Sequence, residues 1–371
     1  MNKKRIIVVV GTRPEAIKMA PVYLSFKKED RAEVLLLATA QHRQMLDQVL
    51  SVFGIRPDID LDIMRPNQTL GELTVSLIRG TQKVFAELKP DIVLVQGDTT
   101  TCLCAALAAF YERVPVGHVE AGLRTYDLSA PWPEEMNRRL VAPLTRWSFA
   151  PTEMAAKNLL AERIPPENIF VTGNTVIDAL FIARDMGRTI EPTISGLKKE
   201  DLEEHRLVLV TGHRRENFGE PFREFCLALR DIVRTHPDTI LIYPVHLNPN
   251  VQKPVYEILA REDRIYLIPP VEYLPFVYLM DKSYFIITDS GGIQEEAPSL
   301  NKPVLVTRDI TERQETVTAG LAQLVGTNRN VIVEAANRLL NDKGHYTRMS
   351  KGNNPYGDGK ASERIVKISL G

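Results

Sequence analysis

Short β-branched runs recur along this chain with helix-length amphipathic segments between them, and no other feature narrows the choice of fold so far. In the first half the runs are Arg5 to Val10, Glu33 to Ala38, Asp91 to Gln96, Val114 to Val119 and Trp147 to Ala150. A second series follows: Leu207 to Thr211, Thr239 to Pro244, Arg264 to Ile268, Tyr284 to Thr288 and Val304 to Thr307. Near-continuous apolar strands need helices on both faces, so the pattern predicts an α/β protein built on parallel sheets. At 371 residues the chain is too long for one comfortable core. The restart of the series predicts two Rossmann-like, doubly wound domains, residues 1–172 and 173–352. The boundary is set near Thr172 to Asn174, where Gly173 interrupts the first series and Asn174 can cap a helix. A turn cluster, Asn353 to Gly359, then leads to a last helical segment, Ala361 to Leu370, which periodicity alone assigns to neither domain. Ligands of open α/β sheets bind at the carboxyl ends of the strands, so two such domains are expected to face one another across a cleft.

Charge and cysteine usage limit the partners. The 46 basic and 47 acidic residues leave a formal charge of −1, which argues against a nucleic-acid binder and requires any basic site to be local. Cys102, Cys104 and Cys226 lie in apolar helical runs and cannot close a disulfide framework, so they are expected to fill space in a reducing compartment. The apolar run Ile6 to Val10 stops at Gly11, too short for a signal peptide or membrane span, and the expected location is cytoplasmic with no membrane partner.

The stretch Thr288 to Pro298 joins a strand to a helix through Gly291 and Gly292, the form of a phosphate cradle. Unpaired N–H groups at a helix start favour a diphosphate, and Glu296 one turn later can hold a sugar hydroxyl; an ordinary turn with Ser290 as cap is the competing reading. Asp98, Glu120 and Glu134 follow first-domain strands or open a helix. Capping explains Asp98 and Glu134 adequately, but Glu120 ends an apolar run two residues before Gly122, which places it at a pocket rim. Arg13, Lys18, His213, Arg214, Arg215 and Arg313 can supply the positive charge an anionic ligand requires, with solvated surface charge the competing reading for Lys18, Arg214 and Arg215. Neither a G-x-G-x-x-G nor a Walker A loop is present, so the Tyr23/Lys27 spacing is read as coincidence. Asp58 to Asp62 alternates acid with aliphatic as a half-buried strand does, and neither a metal nor a cofactor is expected.

Taken together, several loops resemble one family. They are Gly11 to Glu15, Gln41-His42, Gln96 to Thr99, His118 to Arg124, Pro133 to Arg138, His213 to Asn217, Thr288 to Pro298, Thr311 to Arg313 and Asn354 to Gly359. In order and spacing they are similar to the bacterial non-hydrolysing UDP-N-acetylglucosamine 2-epimerases. The resemblance implies a GT-B-like fold, a homodimer, return of the last helix to the first domain, and interconversion of UDP-N-acetylglucosamine with UDP-N-acetylmannosamine for cell-surface polysaccharides. By motif it makes Asp98, Glu120 and Glu134 the catalytic carboxylates and sets His213 beside the diphosphate. Arg13, Lys18, Arg138, Ser290, Gly291, Gly292, Glu296 and Arg313 then become substrate and UDP contacts. It also implies activation by substrate at a second site, lined by Gln41, His42 and Gln44 and by an arginine just before Gln-Thr-Leu. Here Asn67 precedes Gln68-Thr69-Leu70, and the nearest arginine is Arg65. Gln314 also follows Arg313 where the family usually has proline.

Three other functions compete. A hydrolysing 2-epimerase would release free N-acetylmannosamine and UDP. A retaining glycosyltransferase of the same fold often carries two glutamates eight positions apart, but Thr288 and Val304 flank Glu296 at that spacing. A nucleotide-sugar sensor would keep Arg13 and Glu296 and have no need for three carboxylates.

Overall fold

The computed structural model describes residues 3–39, 43–65 and 67–371, with the backbone alone for residues 43 and 44. Two compact units form, Met1–Ile182 with Tyr356–Gly371, and Ala183–Pro355. The contacts divide inside helix Thr175–Ile190, whereas the sequence pattern changes just before that helix.

In the first unit the strands are β1 (Lys4–Val10), β2 (Ala32–Ala38), β3 (Ile59–Asp60), β4 (Ile92–Gln96), β5 (Val116–Val119), β6 (Trp147–Ala150) and β7 (Ile169–Val171). Their order is β3-β2-β1-β4-β5-β6-β7, and every pairing is parallel. The second unit contains β8 (Arg206–Thr211), β9 (Thr239–Pro244), β10 (Ile265–Ile268), β11 (Phe285–Thr288), β12 (Val304–Val306) and β13 (Ala322–Leu324), ordered β10-β9-β8-β11-β12-β13. In each sheet the chain winds outward one way from its first strand, returns, and winds out the other way. The doubly wound Rossmann arrangement follows, with switch points between β1 and β4 and between β8 and β11.

Central strands are buried on both faces, as Ile6 to Val10 and Leu207 to Val210 show. β3, β7 and β13 were not located from the apolar pattern, and each is a strand of two or three residues at a sheet edge. An edge strand covered on one side needs no continuous apolar run, so it leaves little trace in sequence. Asp58, next to β3, accepts from the Leu36 N–H at 2.7 Å and the Tyr23 hydroxyl at 3.1 Å, a brace between strand and first helix. That contact also gives Tyr23 a structural role. All three cysteines are free and buried, and burial pushes the Cys104 and Cys226 thiols up to about 12.

Helix Ala361–Leu370 belongs to the first unit. Buried Asp178 accepts from the N–H groups of Ala361 (3.2 Å) and Ser362 (2.8 Å) and so caps it, while Ile365 and Val366 enter the core. Among the described residues no helix is long and apolar enough to cross a membrane.

Candidate active site

At the first switch point β1 runs into Gly11-Thr12-Arg13 and β4 into Gly97-Asp98-Thr99. Gly11 is required by close approach: a Cβ there would stand 2.3 Å from Thr101 Oγ1 and 2.5 Å from Thr39 Oγ1. The carboxylate of Glu15, 1 % exposed, ties the two loops together. One oxygen accepts from Gly11 N (3.0 Å), Thr12 N (2.7 Å) and Thr12 Oγ1 (2.8 Å), and the other from Thr99 Oγ1 at 2.6 Å. Burial raises the Glu15 carboxyl above its ordinary range against the pull of these donors. Arg13 is half-buried at the head of helix Arg13–Lys27 and has no ion-pair partner among the described residues.

Glu120 stands at the end of β5 in the left-handed region, φ +63°, and is 8 % exposed. Lys18 Nζ lies 2.5 Å from its carboxylate, and Gln96 Nε2 donates to the same oxygen. Asp98 pairs with Arg138, while Asn137 Nδ2 donates to the Asp98 carbonyl at 2.9 Å. Burial raises the Asp98 carboxyl above its ordinary range; Arg138 opposes the rise, nearby Glu120 adds to it, and Lys18 opposes it. Asp98, Glu120, Lys18 and Arg138 therefore form one electrostatic cluster of two acids and two bases. Glu134 is half-buried at the first position of helix Glu134–Val141. Its neighbour Glu135 is fully buried, accepts from Thr125 N and Tyr126 N at 3.0 Å each, and lies 3.4 Å from Arg138.

His118 is buried beneath the Asp98 loop, and its Nε2 donates to the Gly97 carbonyl at 2.6 Å. Burial pushes the imidazole down to about 4. An unfolded chain takes this proton near pH ~6.5 and the folded chain refuses it until about 4. Stability is therefore expected to be full above about pH 6.5 and to fall by roughly 3 kcal/mol as the pH drops toward 4. Urea denaturation over that interval measures the loss, and His118→Gln should flatten it.

The second switch point has the same plan. Thr211 and Thr288, at the ends of β8 and β11, share a 2.6 Å hydroxyl contact, and Thr288 Oγ1 accepts the Ser290 N–H at 2.9 Å. Asp289 is fully buried and accepts from the N–H groups of His213 (2.7 Å) and Arg214 (2.8 Å). A pocket of about 340 Å³ opens there, lined by His213, Arg214, Arg215, His246, Asn248 and Ser290. The His213 and His246 rings stack with centroids 5.3 Å apart.

Helix Gly291–Glu296 follows, and Ser290 occupies its cap position without a side-chain capping bond. Gly291 has the Arg313 guanidinium carbon 3.5 Å from where a Cβ would be. Arg313 is held by Glu295 at 2.7 Å, and Glu296 is 9 % exposed at the helix end. Gln314 Nε2 donates to the Thr311 carbonyl at 2.9 Å, closing the loop where a proline could not donate. Gln41 and His42 lie outside the described residues, as does the side chain of Gln44. Arg65 is exposed, and its N–H donates to Gln68 Oε1 at 3.4 Å.

Sequence reasoning did not single out Glu15, Gln96, His118, Glu135, Asp289 or His246. Thr12-x-x-Glu15 was visible as a capping box, and both halves of the box form. Gln96, His118, Glu135 and Asp289 lie inside loops the family resemblance marks, but their partners are remote in sequence and gave none of them a role; His246 lies outside those loops.

Fold and site together define an α/β protein of two doubly wound parallel-sheet units of GT-B type, each with polar and charged groups gathered at its switch point. The sequence profile of the Epimerase_2 family, UDP-N-acetylglucosamine 2-epimerase, matches residues 24–370, and the chain belongs to that family. It is 56 % identical over 366 residues to the UDP-N-acetylglucosamine 2-epimerase of Yersinia pestis, covering 98 % of this chain and 97 % of the relative. The Escherichia coli K12 enzyme of the same name is 55 % identical over 366 residues, with the same coverage of 98 % and 97 %. The Neisseria meningitidis UDP-GlcNAc 2-epimerase bound to UDP-GlcNAc matches with TM-score 0.85 and 49 % identity over 99 % of each chain. The Methanocaldococcus jannaschii enzyme in complex with UDP-GlcNAc and UDP matches with TM-score 0.76 and 35 % identity, over 98 % of this chain and 99 % of that one.

Proposed function

We propose that the chain interconverts UDP-N-acetylglucosamine and UDP-N-acetylmannosamine without net hydrolysis. The observation that carries this reading is the cluster of buried Glu120 with half-buried Lys18 beside half-buried Asp98 with Arg138, in a member of the 2-epimerase family. The hydrogen at C2 of the sugar has no adjacent ring carbonyl, so deprotonation alone would leave a costly carbanion. Elimination avoids it. A carboxylate takes the C2 proton, the C1–O bond breaks with its electron pair passing to UDP, and a neutral 2-acetamidoglucal remains. Return of UDP to C1 with a proton delivered to the opposite face of C2 gives the epimer.

Both faces of C2 need acid/base groups, which accounts for several carboxylates; Asp98, Glu120 and Glu134 take this role. Arg13, His213, Arg313 and the Gly291 and Gly292 N–H groups that follow Ser290 stabilise charge on the leaving diphosphate, and Glu296 holds a sugar hydroxyl. Lys18 and Arg138 act chiefly on the carboxylates they pair with. The family resemblance adds a homodimer working in the cytoplasm to supply polysaccharide precursors.

Proton NMR of the protein with UDP-GlcNAc in heavy water is the test. Deuterium is expected at C2 of both recovered nucleotide sugars, with no free sugar. Accumulating N-acetylmannosamine and UDP would establish the hydrolysing reaction instead, and retained protium through many turnovers would reject elimination.

A further inference from the structure

Asp289 is fully buried, and only one of its carboxylate oxygens is satisfied. Oδ2 receives the backbone N–H groups of His213 and Arg214. Oδ1 is shut off from solvent, has no hydrogen bond among the described residues and lies 3.4 Å from His213 Nδ1. An unsatisfied buried carboxylate oxygen is costly, and closing onto the ring N–H would remove that cost. The His213 side chain is 45 % exposed and lines the pocket.

We propose that Asp289 is a positioning residue that keeps the His213 proton on Nδ1 and directs Nε2 into the pocket, toward an anionic diphosphate. This deepens the proposed function and rests on its placement of His213. With Nδ1–H committed to the carboxylate, the ring can donate through Nε2 only as an imidazolium, a cation matched to the charge that develops on departing UDP. Arg214 and Arg215 line the same pocket, and Asp289 stands behind the ring. Arg214 Nε donates to the Asp289 carbonyl at 3.1 Å, which holds this cation beside the same residue. His246 cannot substitute through its own Nδ1, which accepts the Asn248 N–H at 3.1 Å.

The competing account gives Asp289 a folding role alone, as acceptor for two loop N–H groups. Asp289→Asn separates the two, since the amide oxygen can keep those N–H groups while its NH2 faces Nδ1. Ring ¹⁵N–¹H correlation spectra of the full chain, with His213 assigned by loss of its signals in His213→Asn, read the tautomer directly. In alkaline solution the wild-type ring is expected as Nδ1–H and the Asp289→Asn ring as Nε2–H. With UDP-GlcNAc as substrate, kcat is expected to fall about thirtyfold in the variant, with KM changed only a few-fold. A wild-type Nε2–H ring, or a fall in kcat with the tautomer unmoved, overturns the proposal. The wild-type spectrum alone decides the tautomer if the variant does not fold. An Nδ1–H ring in a wild-type protein that does not epimerise UDP-GlcNAc would support the Asp289–His213 pairing and reject the proposed function.

Discussion

Replacing Glu120 by glutamine is expected to lower kcat for epimerisation by about a hundredfold or more while UDP binds with unchanged affinity. The amide preserves the shape and can still meet Gln96, but it cannot take a proton, and it removes the negative charge that Lys18 meets at position 120. Asp98→Asn is expected to act alike, because Arg138 and Glu120 hold Asp98 in the same electrostatic cluster. Turnover assays alongside calorimetric titration with UDP separate the two quantities. Unchanged kcat in both variants would reject the assignment of these carboxylates. A parallel loss of UDP affinity would mean that the substitutions disturb the fold and not the proton chemistry.

Gly122→Ala is expected to destabilise the chain by about 4 kcal/mol, seen as a lower urea midpoint with little change in slope. Two penalties combine. Gly122 has φ +90°, a conformation an L side chain adopts only with strain. Its Cβ would also stand 2.2 Å from the Ala155 carbonyl oxygen, a backbone atom of helix Glu153–Ala161 that cannot rotate away. Relief requires this helix to shift, and Leu159, at 3.0 Å from the same point, blocks an easy slide. Since Glu120 lies two residues earlier, activity is expected to fall as well. A midpoint equal to wild type would show that the helix yields more readily than its packing implies.

What could be read from the chain alone is what local chemistry controls. Central strands buried on both faces must be apolar throughout, so Ile6 to Val10 and Phe285 to Thr288 announce themselves. The capping box at Thr12 and Glu15 depends on residues three apart, and the loops at strand ends follow once the strands are placed. Strands β3, β7 and β13 escaped because two or three residues at an edge carry no periodic signal.

Pairing was decided only in three dimensions. Lys18, expected to contact the nucleotide, meets Glu120 across 102 positions of chain; Arg138 reaches Asp98 across 40, and His213 takes Asp289 as its neighbour across 76. No local pattern carries such information, because it depends on β1 lying beside β4 and β8 beside β11, an order the spacing of strands leaves open. The sequence by itself determined that two parallel α/β units would form and which loops would hold charge, since burial of each strand is written in its own residues. Which acid faces which base followed from strand order, because only the folded sheets bring those remote ends within hydrogen-bond reach.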